Sequence, residues 1–298
     1  MEKVGRMSLE CHDHYVPVRH IRFYDLEKVS IDGESYPIQP IAQQSIAQRL
    51  GIPISYLRKC PPEVQRYNMN YWIDYEKNEE LFFRFKRNEV RALFTPRYIP
   101  TDNLEILERL KDLGYPSDMP VQASVDDTFM MVNMLEGEKG FSVNGDRMTP
   151  GISISNSEVG IAALSISAFV LRLVCTNGMI SKTEVSASYR HISARIMSEF
   201  PNVLDSIAQG LGKQQHQFRL SLASPVPDPE GTIRSFNRQF ELKQEEREAV
   251  EWAMPLEYGE TMFHVVNVYT KAAQYEELNA EGRYHLQRVG GMILEMVK

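Results

Sequence analysis

The stretch SISNSEVGIAALSISAFVLRLVCTNGMI, residues 153–180, decides how the rest of the chain is read. From Val159 to Leu171 it carries no charge. At period two, Ala162, Leu164, Ile166, Ala168 and Val170 fall on one face, and Ile161, Ala163, Phe169, Leu171 and Leu173 on the other. Both faces are apolar, which predicts a strand buried on both sides. The β-branched residues and serines argue against a helix. The flanks are polar: Asn156, Ser157 and Glu158 precede Gly160, and Cys175, Thr176 and Asn177 precede Gly178. These read as turns in which the glycines take positive φ, so the stretch is expected to be a central hairpin of a sheet. Arg172 is the one charge on an otherwise apolar strand and needs a partner or a phosphate. Glu158 is the candidate partner if the strands pair across the hairpin.

Working towards the N-terminus, VQASVDDTFMMVNMLEG predicts a strand pair or a bent strand interrupted at Asp126-Asp127, followed by a flexible connection through GEKGFSVNGDRM. TDNLEILERLKDLG predicts a short helix capped by Thr101 or Asp102, with Leu104, Leu107 and Leu110 along one face and Gly114 at its end. LFFRFKRNEVRALFTPRY, residues 81–98, predicts a β-hairpin around Asn88-Glu89. Residues 41–62 predict two short helices broken at Gly51-Ile52-Pro53 and stopped by Pro61-Pro62. Residues 1–40 hold short β-like pieces and a turn at Asp32-Gly33. Beyond residue 190 the periodicity is helical, with a loop at SPVPDPEG. The expected class is therefore α+β: a β-rich central sheet, antiparallel or mixed, over 80–180, with helices segregated mainly to 190–298. With no linker or repeat in view, a single domain over 1–298 is expected.

The chain has 298 residues, 43% hydrophobic and 24% charged, and a net charge of -7. That balance excludes a basic field over the whole molecule, so a nucleic-acid site would have to be a local patch. Three scattered cysteines form no disulfide framework, and the longest uncharged apolar run is too short to span a bilayer. A cytoplasmic protein without membrane contact is expected. Cys11-His12-Asp13-His14, with His20 nearby, has metal-capable side chains, but no second cluster supports a site and the spacing matches no common zinc motif. No phosphate-binding glycine loop is present. Neither a metal nor a cofactor is expected.

The densest basic stretch lies in the 84–98 hairpin. Arg84, Lys86, Arg87, Arg91 and Arg97 interleave with Phe82, Phe83, Phe85, Phe94 and Tyr98, against one acid, Glu89. Cations that track phosphates and rings that stack on bases are what single-strand binding needs, so Arg84, Lys86, Arg87, Arg91, Arg97 and Tyr98 are the candidate nucleic-acid contacts. The competing reading is a half-buried strand with a solvated charged face. Ala47, Gly51 and Leu57 also fit helix-turn-helix spacing, although Ser55, Arg58 and Lys59 make a short, weakly basic reader. Asn156, Glu158, Arg172, Asn177, Arg190 and His191 form a second candidate polar cluster, and Cys175 with His191 a conceivable nucleophile pair.

The segments LGIPISYL, VRALFTPRYIPTDN, GISISNSEVG, RLVCTNGMI, Arg190-His191 and the C-terminal NVYTKAAQ and GRYHLQRVGG occur in that order. As a set they resemble the phage- and plasmid-associated proteins called domain of unknown function 932, over residues 40 to the end. Thr95 stands where that pattern usually has Ser. The resemblance implies a mobile-element protein of DNA metabolism, by association with recombination, replication and antirestriction genes, and it brings no catalytic residues. The leading expectation is a non-enzymatic DNA-binding protein that favours single strands, with annealing in recombination as one role. The alternative is an interaction or inhibitor protein that docks on a host enzyme through the acidic segment 241–260. Self-association is compatible with either.

Overall fold

The computed structural model describes residues 1–116, 118–119, 121–137, 140–172, 177–181, 187–189, 196–210 and 215–298. Where the sequence reads as one domain, contacts group the described residues into two compact units. The first holds Met1–Leu110 and Ser157–Ile161, and the second holds the rest. No linker marks the division in sequence, because the chain enters the first unit a second time for only five residues.

The first unit begins with α1 (Glu2–Ser8), followed by β1 (Cys11–Pro17), β2 (Ile21–Phe23), β3 (Lys28–Ile31) and β4 (Glu34–Pro37). Asp32 and Gly33 both take positive φ between β3 and β4, the conformation a two-residue hairpin turn requires. Then come α2 (Pro40–Arg49), α3 (Ile54–Leu57), α4 (Pro62–Ile73), β5 (Glu80–Lys86), β6 (Glu89–Phe94) and α5 (Asn103–Asp112). Two antiparallel three-stranded sheets form, in the orders β1-β5-β6 and β2-β3-β4. One core joins Ile21, Phe23, Val29, Phe83 and Phe85 to Ile46, Ala47, Leu57, Met69 and Ile73 of α2–α4. On α5 the buried residues are Asn103, Ile106 and Leu110; of the expected leucine stripe Leu110 is buried, and Leu104 and Leu107 are half-buried.

The second unit carries β7 (Val121–Val125), β8 (Met130–Leu135), β9 (Phe141–Val143), β10 (Asp146–Asn156), β11 (Leu164–Arg172), β12 (Asn177–Ser181) and β13 (Ala187–Tyr189). They form one antiparallel sheet in the order β12-β11-β10-β8-β7, with β13 on β11 and β9 on β10. The expected central hairpin is present as β10–β11. Its second glycine, Gly178, pairs with Leu171 as a strand residue. The segment expected to be a flexible connection is a hairpin, β9–β10, turning at Asn144-Gly145 with positive φ at both residues. Asn-Gly is the strongest short hairpin signal, and it outweighs the flanking Gly and Lys.

Six α-helices follow among the described residues: α6 (Ile196–Gly210), α7 (Gln215–Ala223), α8 (Pro229–Gln239), α9 (Gln244–Ala253), α10 (Met262–Ala272) and α11 (Ala280–Met296). The fold is α+β, as the residue pattern predicts. α10 is the buried centre of this unit: Phe263, Val265, Val266, Val268, Tyr269 and Ala272 all lie in its core. Asp126 ties the β7–β8 turn to α11. Its carboxylate accepts from the Thr128 and Phe129 amides and from the Ala280 amide at the helix start. No helix of the described residues is long and apolar enough to cross a membrane.

Candidate functional site

The 84–98 hairpin exists, but burial changes the roles of its side chains. Alternation along β5 sends Phe83 and Phe85 into the core of the first unit and Phe82, Arg84 and Lys86 to the opposite face. The register between β5 and β6 slips after Arg84. Arg84 pairs with Ala92 and Phe85 with Val90, so Arg91 is the extra residue of a bulge. A bulge re-aims the side chain it carries.

Arg84 and Arg91 are only 2% and 5% exposed. Arg84 donates to Asp13 of β1 at 3.0 Å, to Asp102 and to the Glu158 carbonyl. Arg91 donates to the Glu158 carboxylate at 2.9 Å and to the Cys11 sulfur at 2.9 Å. Burial works against the Arg84 charge, but Asp102 and Asp13 outweigh it and hold the guanidinium more firmly protonated than usual. Burial also pushes the Cys11 thiol up, against the pull of Arg91. Glu158 closes the cluster: its other carboxylate oxygen accepts from the Asn103 amide at 2.7 Å. These arginines answer carboxylates of their own chain, and neither can lie along a phosphate backbone without leaving them.

The remaining predicted contacts divide. Lys86 and Arg87 both pair with Glu10, and Arg87 sits in the β5–β6 turn at positive φ. Arg97 is exposed. Tyr98 is buried, stacked on Phe94 at 3.7 Å, and burial pushes its hydroxyl up to about 12. A ring packed in this way offers no face to a base. Only Lys86, Arg87 and Arg97 of the six residues stand at the surface, without the rings that were to accompany them.

The second predicted cluster does not assemble among the described residues. Asn156 belongs to the second unit and Glu158 to the first. Arg172 finds carboxylate partners, as its place on an apolar strand demands. They are Asp146 at 2.6 Å and Glu257 at 2.7 Å rather than Glu158, and the guanidinium also lies over the Phe263 ring. Cys175, Arg190 and His191, and the side chain of Asn177, lie outside the described residues. In the Cys-His-Asp-His segment, strand alternation turns Cys11 and Asp13 to the two arginines while His12 and His14 pack on Phe85. The two short helices expected over 41–62 form as α2 and α3: Ala47 and Leu57 are fully buried, as packing of the pair requires, and α3 is a single turn, too short for a groove-reading helix.

What the residue pattern passes over is α4. Within residues 63–79, Tyr67 and Tyr71 on the helix and Tyr75 two residues past its end recur every four residues, with Trp72 beside them. Met69 and Ile73 bury the opposite side of the helix. Gln65 and Asn70 fasten it to Leu26 and Phe23 through hydrogen bonds of 2.9 and 2.8 Å. The four rings face outward at 70% (Tyr67), 45% (Tyr71), 48% (Trp72) and 65% (Tyr75) exposure. They form one array, with centroids 6.2 Å apart for Tyr67–Tyr71, 5.1 Å for Tyr71–Tyr75 and 5.3 Å for Tyr71–Trp72. Tyr56, also exposed, reaches the same helix through Asn68. Arg58, Lys59, Arg66 and Lys77 are exposed nearby in sequence. Contiguous exposed aromatics of this extent mark an interaction surface, and this is the candidate functional site. No family model, curated protein or solved structure matches the chain.

Proposed function

We propose that the protein is a non-enzymatic DNA-binding protein of a mobile element that engages single strands through the aromatic face of α4. The observation that carries this reading is the array of Tyr67, Tyr71 and Trp72 on α4 with Tyr75 in the turn that follows it, all exposed and each ring in contact with another. Every base has a π-face, so such a platform binds without sequence preference, and each stacked base contributes about 1–3 kcal/mol. Arg58, Lys59, Arg66 and Lys77 supply cations for the backbone. The motif resemblance to phage- and plasmid-associated proteins favours the same class of function.

Anisotropy titration with a fluorescein-labelled oligothymidylate and with a duplex of equal length, at low and physiological salt, tests the reading. Preferential, salt-sensitive single-strand binding is expected. Tyr71→Ala and Trp72→Ala should each weaken it about tenfold, and Trp72 emission should be quenched on binding in a Trp252→Phe background. Absence of saturable binding at low salt, or unchanged binding by a folded Tyr67→Ala/Tyr71→Ala/Trp72→Ala protein, would overturn it.

A protein partner is the second reading, favoured by exposed Tyr and Trp as a hot-spot composition on a chain of net charge -7. The acidic segment 241–260 serves it less than its sequence suggests. Glu246 is buried against His285 and Glu257 against Arg172, so the acidic surface is thinned to Glu241, Glu245, Glu248, Glu251 and Glu260.

A further inference from the structure

The second unit contains a cavity of about 580 Å³ between the start of α8, the end of α9 and the side of α10. Its volume is that of a small-molecule site. Ile233, Val265 and Val268, all buried, and Met254 form its apolar lining. Four carboxylates, Asp228, Glu230, Glu251 and Glu257, line the cavity as well, and among the described residues no lysine or arginine does. The exposed Tyr258 ring and the His264 imidazole complete the wall.

These carboxylates are not equivalent. One oxygen of Asp228 caps α8 by accepting from the Gly231 amide. Glu230 makes an exposed pair with Arg234 one turn along the helix, which solvent leaves weak. Glu257 already binds one guanidinium, that of Arg172 at 2.7 Å. Glu251 is exposed on α9 and lines the cavity. A hard metal ion demands a cage of six or more oxygens, and among the described residues no group of three or more His, Cys, Asp or Glu could hold one. Buried apolar side chains, several carboxylates and an exposed tyrosine lining one cavity match a different ligand: a cation carried on a hydrocarbon stem.

We infer that this cavity binds an organic cation, an ammonium or guanidinium on an aliphatic stem, with Glu251 as its principal counter-charge. The stem lies on Ile233 and Val265, and the charged head meets Glu251 at the rim beside Tyr258. The same chemistry is offered by a free diamine-like metabolite and by a Lys or Arg side chain of a protein.

Isothermal titration calorimetry on the full chain separates these cases, with the dication agmatine, the uncharged alcohol n-pentanol, and the capped peptide acetyl-Ala-Arg-Ala-amide as probes. Saturable binding of agmatine at least tenfold tighter than pentanol is expected. Glu251→Gln should weaken it about tenfold, the loss of one charge-assisted contact. Glu251→Lys, which places an ammonium in the cavity, should abolish it. Glu248→Gln removes the same charge from the same helix at a position that does not line the cavity, and should change nothing. A peptide that binds more tightly than agmatine assigns the site to a protein side chain; a weaker one assigns it to a free cation. No saturable binding of either cation at about 10 mM, equal binding of pentanol, or equal losses from Glu248→Gln and Glu251→Gln would overturn the inference. Circular dichroism of each variant confirms that it is folded.

Discussion

Replacing Glu158 with Gln tests whether the buried arginine cluster is structural. The substitution keeps shape and volume but removes the charge. Glu158 is nearly buried, and its two carboxylate oxygens accept from the Arg91 guanidinium at 2.9 Å and the Asn103 amide at 2.7 Å. Gln can still accept from Asn103 through its carbonyl. Its NH2 group then faces the Arg91 guanidinium, donor against donor. Breaking a buried pair by neutralising one member costs about 3–5 kcal/mol. Here the retained Asn103 bond and the Cys11 contact of Arg91 place the expectation near the lower end, about 3 kcal/mol. The assay is urea unfolding in a Trp252→Phe background, where Trp72 is the sole tryptophan and reports the first unit. The midpoint should fall with no change in slope. A further Arg91→Met change should recover part of the loss, because it removes the charge left without its carboxylate. A Gln variant as stable as the parent, or more stable, would refute the structural assignment. It would mark Glu158 as a strained carboxylate kept for chemistry, since functional carboxylates are often retained against stability.

Other consequences are simpler to state. Arg84→Ala should destabilise the first unit by about 3 kcal/mol or more through the orphaned Asp13 and Asp102, whereas Lys86→Ala and Arg87→Ala should each cost under about 1 kcal/mol; thermal melts rank them. Gly151→Ala should unfold or severely weaken the second unit, because a Cβ there would stand 2.0 Å from the Met134 carbonyl oxygen of the neighbouring strand; loss of cooperative melting is the readout. Burial alone would raise the Glu246 pKa, but the His285 contact and the Lys243 amide win and hold it below the usual range. A depressed folded pKa stabilises above the ordinary carboxylate range and is lost as pH falls through it towards the folded value. Glu246→Gln should therefore flatten the acid limb of stability against pH measured by urea unfolding.

Much of the fold was legible because it rests on local chemistry. The uncharged run 164–171 is apolar on both faces and its β-branched residues and serines favour a strand over a helix, and the Asp-Gly pair at 32–33 marks a tight turn, so β11 and the β3–β4 hairpin follow. Arg172 was legible in a weaker sense. The sequence required a carboxylate partner for it but could not choose among forty acids, and the register of β10 with β11 set Asp146 near it while leaving Glu158 to Arg91. The two-unit division was not legible, because the five residues Ser157–Ile161 that join the first unit read as a turn like any other.

The misreading of 84–98 has a definite cause. A strand that alternates Phe with Arg and Lys looks half-solvated, since a charged face is normally a wet one. β5 is buried on both faces, and acids from distant segments cover the arginines of this hairpin: Asp13 from β1 and Asp102 ahead of α5 meet Arg84 of β5, and Glu158 meets Arg91 of β6. No window of sequence contains both sides of those pairs. The tyrosines of α4 show the converse. Their spacing is that of a helix face, and a helix face of aromatic residues ordinarily reads as core. Met69 and Ile73 already fill the inward side of this helix, so the rings are left to the solvent. Composition counts the cations and rings of this protein but does not say which of them are buried. Burial is the missing quantity, and it moves the search for a partner from the basic hairpin to the aromatic helix.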